Sequence, residues 1–254
     1  MSHIVLFDDG NHKNVLLEDF SGGLAVQANQ HVIIDSGNGM ILDPGGHKIY
    51  SKVLAATTGL LGKAKLTTIF LSHQDPDIVA AVNGWLMTTD ATAHVSKLWI
   101  RFVAHFGLDR LVESRLLGIP DEGTKLPLGA SEMRVIPAHF LHSPGNFQVY
   151  DPVSKILYSG DLGASLGQDY EDVVHFDTHV RYMEAFHRRY MVSNRILSAW
   201  VRMVRGLDIE TIAPQHGAMI RGIDNVQRFL DWCETLECGI DLMTERLRLP
   251  VKPD

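Results

Sequence analysis

The sequence predicts an α/β architecture in which two β-sheets lie face to face between layers of helix, and three observations carry that expectation. Strand-type and helix-type segments follow one another as strands, helices, strands, helices along 254 residues, an order that places helices on the outer faces of sheets. With 45% of its residues hydrophobic, a chain of this length can bury a large core as one domain spanning 1–254. His73, Asp75, Asp77, His142, Asp161 and His216 each follow an apolar, β-rich run, where a chain leaves a sheet and side chains converge on a shared rim.

The elements follow in order. Segments 31–35 and 40–43 flank Ser-Gly-Asn-Gly, a turn signal that makes them a hairpin. Residues 47–61 suit a helix ending near Gly62, and 66–71 (LTTIFL), rich in β-branched side chains, reads as a buried strand. Asp77 opens a helix over 78–87, where a carboxylate accepts orphan backbone N–H groups; Asp77 therefore has a structural reading beside its metal-binding one. A strand over 91–96 and an amphipathic helix over 97–106 precede a looser stretch that runs through 120–129 and carries no recognisable chemistry. Strand 132–138 ends near His139 and His142, and 147–150 pairs with 155–159 across Asp151-Pro152 to deliver Asp161. A helical stretch over 180–204 leads to strand 211–214, which delivers His216, and a last helix covers 225–236.

Composition removes several classes of function. A net charge of -7 without a basic block excludes nucleic acid and anionic membrane surfaces as main partners. No apolar run reaches the roughly 18 residues of a spanning helix, and no basic-flanked signal is present, so the cytoplasm is the expected location. Cys233 and Cys238 share one helical segment at a spacing unsuited to a redox pair or a zinc knuckle, and read as reduced packing residues. The glycines of SGNG and DPGG are hairpin glycines, since no P-loop lysine follows. His175, Asp177 and His179 read as a helix start near Thr178, His139 stands outside the ligand set, and RYMEAFHRRYM reads as core or dimer interface.

The order HxDxD, then His, Asp and His, resembles the diiron domain of the flavodiiron proteins. That domain has the metallo-β-lactamase-like αββα fold, two mixed β-sheets between helical layers. The flavodiiron pattern is HxExDH, then His, a bridging Asp and a last His. Here LHSPGN is similar to its LHWPDS segment, YSGDLG to its bridging-Asp segment and IAPQHG to its final His segment. The resemblance covers nearly the whole chain, and its specificity lies in four motifs occurring in order. It implies that His73, Asp75 and His142 hold a first metal ion, that Asp161 bridges, and that Asp77 and His216 hold a second. This mixed nitrogen and oxygen set suits two iron ions cycling between Fe2+ and Fe3+, with manganese or zinc as substitutes. Hydrolases of the same fold usually carry HxHxDH instead.

Two departures direct the functional expectation. Ile78 stands where the flavodiiron pattern has a His; it offers no lone pair, leaving an open position beside an apolar wall at the second iron. No flavodoxin-like domain and no cysteine cluster accompany the motifs, so no flavin is expected. Both features are similar to the oxygen-binding diiron proteins associated with bacterial chemotaxis. That resemblance implies an oxygen sensor in which a diferrous pair binds dioxygen as a bridging peroxo-diferric adduct. It also implies a chemoreceptor or chemotaxis kinase as partner, and a homodimer. Two enzymatic readings stand beside it: an oxygen or nitric oxide reductase served by a separate flavoprotein, and a two-metal hydrolase.

Overall fold

A computed structural model describes residues 3–17, 19–23, 26–244 and 247–249. Strands β1 (His3–Asp8), β2 (His12–Leu17), β3 (His31–Asp35) and β4 (Asn38–Leu42) form an antiparallel meander. The expected hairpin closes tightly at Ser36-Gly37, with Asp35 opposite Asn38 and φ of 47° and 82° at the two central residues. Positive φ at both positions matches the turn to the right-handed twist of the strands. Helix α1 (Tyr50–Leu61) returns the chain to β5 (Lys65–Phe70), and α2 (Pro76–Val79) and α3 (Val82–Thr88) to β6 (Thr92–Ser96). After α4 (Ile100–Val103) comes β7 (Leu116–Ile119). Pairs β4·β5, β5·β6 and β6·β7 are parallel, and the seven strands stand in sequence order.

The second sheet begins with β8 (Thr124–Leu128), β9 (Ser131–Pro137), β10 (Phe147–Asp151) and β11 (Ile156–Gly160), again an antiparallel meander. Helices α5 (Phe176–Tyr190) and α6 (Asn194–Val204) then carry the chain across to β12 (Thr211–Pro214), which pairs parallel with β11. Strand β13 (Ile220–Arg221) forms the edge, followed by α7 (Ile223–Thr235) and α8 (Ile240–Met243).

Period-two alternation assigns each strand's side chains to two different cores. Ile33, Met40, Leu42 and Phe70 meet Phe147, Val149, Ile156 and Tyr158 between the sheets. Their neighbours Val32, Ile41, Ile69 and Leu71 face the other way and pack with Val53, Val82 and Trp85 of the helical layer. On the far side Tyr150, Leu157 and Ile212 pack with Trp200, Val201 and Phe229. The result is the expected αββα order. Strands covered on both faces are apolar nearly throughout, which is why they read as continuous hydrophobic runs.

Several expectations need correction. Strands β1, β2, β7 and β8 lie in segments where no element was foreseen. The single helix expected over 180–204 is two, because the chain extends at Met191 and Ser193 and sinks Met191 into the core. Residues 97–106 hold only α4 and a 3-10 turn, Ala104–Phe106, that ends at left-handed Gly107. Asp77 lies in the first turn of α2, whose N-cap position is Asp75, and neither side chain caps it by a hydrogen bond. Helix α5 starts at Phe176, earlier than expected, with no side-chain cap from His175. Both cysteines are free and buried, and no helix among the described residues is long and apolar enough to cross a membrane.

One end of the inter-sheet core is polar. His12 Nε2 lies 2.7 Å from Asp151 Oδ2 and Nδ1 3.1 Å from Asp35 Oδ1, while Asn14 Nδ2 donates to Asp151 and to the Tyr158 hydroxyl at 2.7 and 2.8 Å. Burial alone lowers the His12 pKa, but Asp151 and Asp35 outweigh it and raise it above 6.5. Burial likewise pushes Asp151 up, and the bonds from His12, Asn14 and Ser154 hold it below 3.8. A raised histidine stabilises the fold fully below its unfolded value and ceases to do so as pH rises through the folded one. His12→Ala is expected to cost about 3–5 kcal/mol at pH 6, the range for breaking a buried pair. The difference from the parent should shrink by pH 9 in urea unfolding; an equal difference at both pH values rejects the ion pair.

Candidate metal centre

The ligand candidates sit where strands of the two sheets end on one rim. The turn after β5 is pinned from both sides: Ser72 N–H donates to Asp43 Oδ1 at 2.7 Å, and Phe147 N–H of β10 donates to the Ser72 carbonyl at 2.9 Å. That fixes His73, and Pro76 at the first turn of α2 suits a helix start that displays Asp75 and Asp77. His142 lies in the loop between β9 and β10, tied back by Asn146 Nδ2 on the Leu141 carbonyl. Asp161 is the first residue after β11, and His216 follows β12, whose parallel pairing with β11 brings the two together. Gly217 has φ of 80°, and a Cβ there would come within 2.3 Å of Ser165 atoms, so only glycine lets the His216 loop close.

The six side chains converge as two groups around one carboxylate. Asp75 Oδ2 lies 3.6 Å from the Nε2 atoms of both His73 and His142. Asp161 Oδ2 is 2.8 Å from His142 Nε2 and 3.8 Å from His73 Nε2. The other oxygen, Asp161 Oδ1, is 3.6 Å from His216 Nε2, which in turn lies 3.6 Å from Asp77 Oδ2. Asp161 therefore turns one oxygen toward each group.

His142 and Asp161 are within hydrogen-bond distance at 2.8 Å, whereas the other separations of 3.6–3.8 Å are too long for a hydrogen bond and slightly wider than the roughly 3.0–3.5 Å between two ligands of one ion. Asp161 Oδ1 is buried with no hydrogen-bond partner, an orphan that a second ion would satisfy. His216 Nδ1 is 2.6 Å from the Gln27 carbonyl and must donate to it, which leaves Nε2 with a free lone pair toward the site. Ser72 Oγ lies 2.9 Å from His73 Nδ1 and orients that ring in the same way.

Electrostatics record the same convergence. Burial alone would lower His73, but Asp75, Asp161 and Asp43 outweigh it and raise its pKa to about 9. Burial would raise Asp161, yet the bond to His142 and the charges of His73 and His216 bring it to about 2. Asp75 is lowered, chiefly by His73, whereas burial raises Asp77 and lifts Asp43 to about 6. In the metal-free chain, the proton that His73 retains balances carboxylates that cations would otherwise neutralise.

Ile78 is fully enclosed in the apolar cluster that holds Leu71, Val79 and Val82, and brings no donor to the rim. His139 instead lies 2.8 Å from the Asp121 carbonyl. His179 bonds the Tyr170 hydroxyl and Asp177 pairs with Arg228, so the 175–179 cluster holds no converging ligand set. Sequence reading missed the supports. Buried His187 accepts the Gly163 N–H at 2.8 Å and fixes the turn after Asp161, and Gln215 Nε2 donates to Asp77 Oδ2 at 3.3 Å. Gln74 reaches Asp75. Gln74 and Gln215 adjoin the ligands in sequence and could have been noted there; His187 carried no such signal.

A family model described as ODP family beta lactamase matches residues 26–217, a span containing all six side chains. A solved structure of a peroxy diiron species of the chemotaxis sensor ODP is 42% identical, with a TM-score of 0.86, covering 97% of this chain and 100% of that one. The apo state of the chemotaxis sensor ODP from T. denticola is 41% identical, with a TM-score of 0.85, covering 97% and 99%. A flavo di-iron protein mutant from Thermotoga maritima shares the fold at 17% identity and a TM-score of 0.74, with 92% of this chain and 60% of that one covered. The chain spans about half or less of the curated relatives it matches: 52% of an uncharacterized protein of Methanocaldococcus jannaschii (22% identical over 80% of this chain) and 36% of diflavin flavoprotein A 1 of Synechocystis (24% identical over 83%).

Proposed function

The chain belongs to the ODP family of beta-lactamase-like proteins, and we propose on that premise that it is a non-haem diiron protein that binds dioxygen and signals its presence in chemotaxis. The observation that carries the reading is Asp161, a buried carboxylate with one oxygen facing each of two ligand groups. His73, Asp75 and His142 would hold the first iron, Asp77 and His216 the second, with Asp161 shared. Two ferrous ions held there would supply the electrons that dioxygen takes up on binding.

The chain's own residues bias the site toward holding its ligand. Ile78 leaves the second ion one imidazole short of the flavodiiron set, so a position stays open for a small molecule. Being apolar, it also carries no proton. The tethers on His73 and His216 keep their rings aimed at the rim. The signalling partner in this reading is a chemoreceptor or chemotaxis kinase, the protein acts as a homodimer in the cytoplasm, and one domain over 1–254 performs the sensing without flavin.

The test is anaerobic reconstitution with ferrous iron, metal analysis, and an optical spectrum after one addition of oxygen-saturated buffer without reductant. Two irons per chain and a visible band lasting many minutes are expected. Immediate bleaching would favour a reductase served by a separate flavoprotein. Failure to retain iron would favour the two-metal hydrolase.

A further inference from the structure

Gln74 stands between two ligand candidates in sequence and takes no part in the ligand pattern, yet its amide is used at both ends. Its Nε2 donates to Asp75 Oδ1 at 2.9 Å, and its Oε1 accepts from the Ser143 hydroxyl. Ser143 is completely buried and adjoins His142. One side chain thus ties the loop after β5 to the loop after β9, the two loops that supply His73, Asp75 and His142. The bond also divides the labour of the Asp75 carboxylate. Oδ1 is held by the amide, while Oδ2 is left 3.6 Å from both His73 Nε2 and His142 Nε2.

The chemistry of the position is restrictive. Ser143 needs an acceptor and ionised Asp75 needs a donor, and a neutral amide of this length supplies both. Rotating the amide by half a turn would set its oxygen against the carboxylate, so the observed orientation is the one the charges favour. A Glu would place a second anion beside Asp75, and an apolar side chain would orphan the Ser143 hydroxyl and release Oδ1.

We infer that Gln74, braced by Ser143, is the positioning residue of the first metal group: it holds Asp75 so that a single oxygen is presented to the ion. The inference rests on the diiron reading above and deepens it. A carboxylate freed from this restraint can swing or bind through both oxygens, changing the coordination number of the ion and not only its affinity.

Cobalt(II) is the probe, because its visible ligand-field bands respond to coordination number and it can be titrated without oxygen chemistry. The parent, Gln74→Met, Gln74→Glu and Ser143→Ala are titrated, with melts of each metal-free chain alongside. Gln74→Met is expected to weaken the first cobalt about 10–100-fold, the usual effect of losing an outer hydrogen bond to a ligand, and to alter its bands. Gln74→Glu, equal in size, should not rescue, and Ser143→Ala should shift affinity and spectrum in the same direction by less. If Gln74→Met fails to fold, Ser143→Ala carries the comparison, since it cuts the same restraint from the other end. A parent that loads two cobalt ions and a Gln74→Met variant matching its affinity and spectrum overturn the role of Gln74 alone. A parent that takes up no cobalt overturns the metal reading, and this inference with it.

Discussion

Asp161→Ala is expected to lose both metal ions, with iron falling from two per chain to almost none after anaerobic reconstitution and desalting. Each other candidate serves one group, but Asp161 offers Oδ2 to His73 and His142 and Oδ1 to His216. If the carboxylate is shared, removing it would take a ligand from each ion and also the anion that offsets their mutual repulsion. The loss should exceed the about 10–100-fold typical of outer hydrogen-bonding groups. Asp161→Asn separates charge from shape, because the amide keeps one oxygen and presents N–H donors in place of the other; one ion at most should remain. His216→Ala is the contrast, and should weaken the second ion while sparing the first. An Asp161→Ala chain that keeps one iron at parental affinity would show that the carboxylate is not shared.

Ile78→His is expected to have opposite effects on the metal-free and loaded chains. In the metal-free protein the imidazole enters a fully enclosed, apolar place. An unsatisfied buried polar group costs about 1–3 kcal/mol, or roughly 2–4 °C of melting temperature per kcal/mol in a chain of this size. With ferrous iron present the new ring has a partner, so the metal-dependent rise in melting temperature should exceed the parent's. An added imidazole also brings a proton carrier to the second ion. The visible band formed on adding oxygen should therefore decay faster, and iron should be retained more strongly. Equal band lifetimes in variant and parent would mean that Ile78 does not govern proton supply.

The candidate ligand set was legible because coordination chemistry depends on atom type, and atom type is written residue by residue. Only His, Asp, Glu and Cys bind these ions well, so HxDxD, LHSPGN, YSGDLG and APQHG stood out at the ends of strands. The inter-sheet strands were legible for a similar reason, since burial on both faces leaves runs without charged side chains and rich in β-branched ones, such as LTTIFL. Strand β1 was not: it is an edge strand with exposed positions and lacks that mark. The division of 180–204 into α5 and α6 was hidden too. Helical periodicity continues on either side of Met191, and what breaks the helix is the insertion of that side chain into the core.

By itself, then, the sequence determined the kinds and order of the candidate metal-binding atoms, the apolar Ile78 where the flavodiiron pattern has a histidine, and the layered α/β class, all properties carried by residue identity and local period. The tertiary structure decided what depends on distance. It set which oxygen of Asp75 and of Asp161 faces which imidazole, and it aimed His216 through the Gln27 carbonyl. It also joined Gln74 to Ser143 across two loops. Contacts between residues far apart in the chain arise from sheet pairing and close packing, which fix positions to fractions of an ångström that no local pattern encodes.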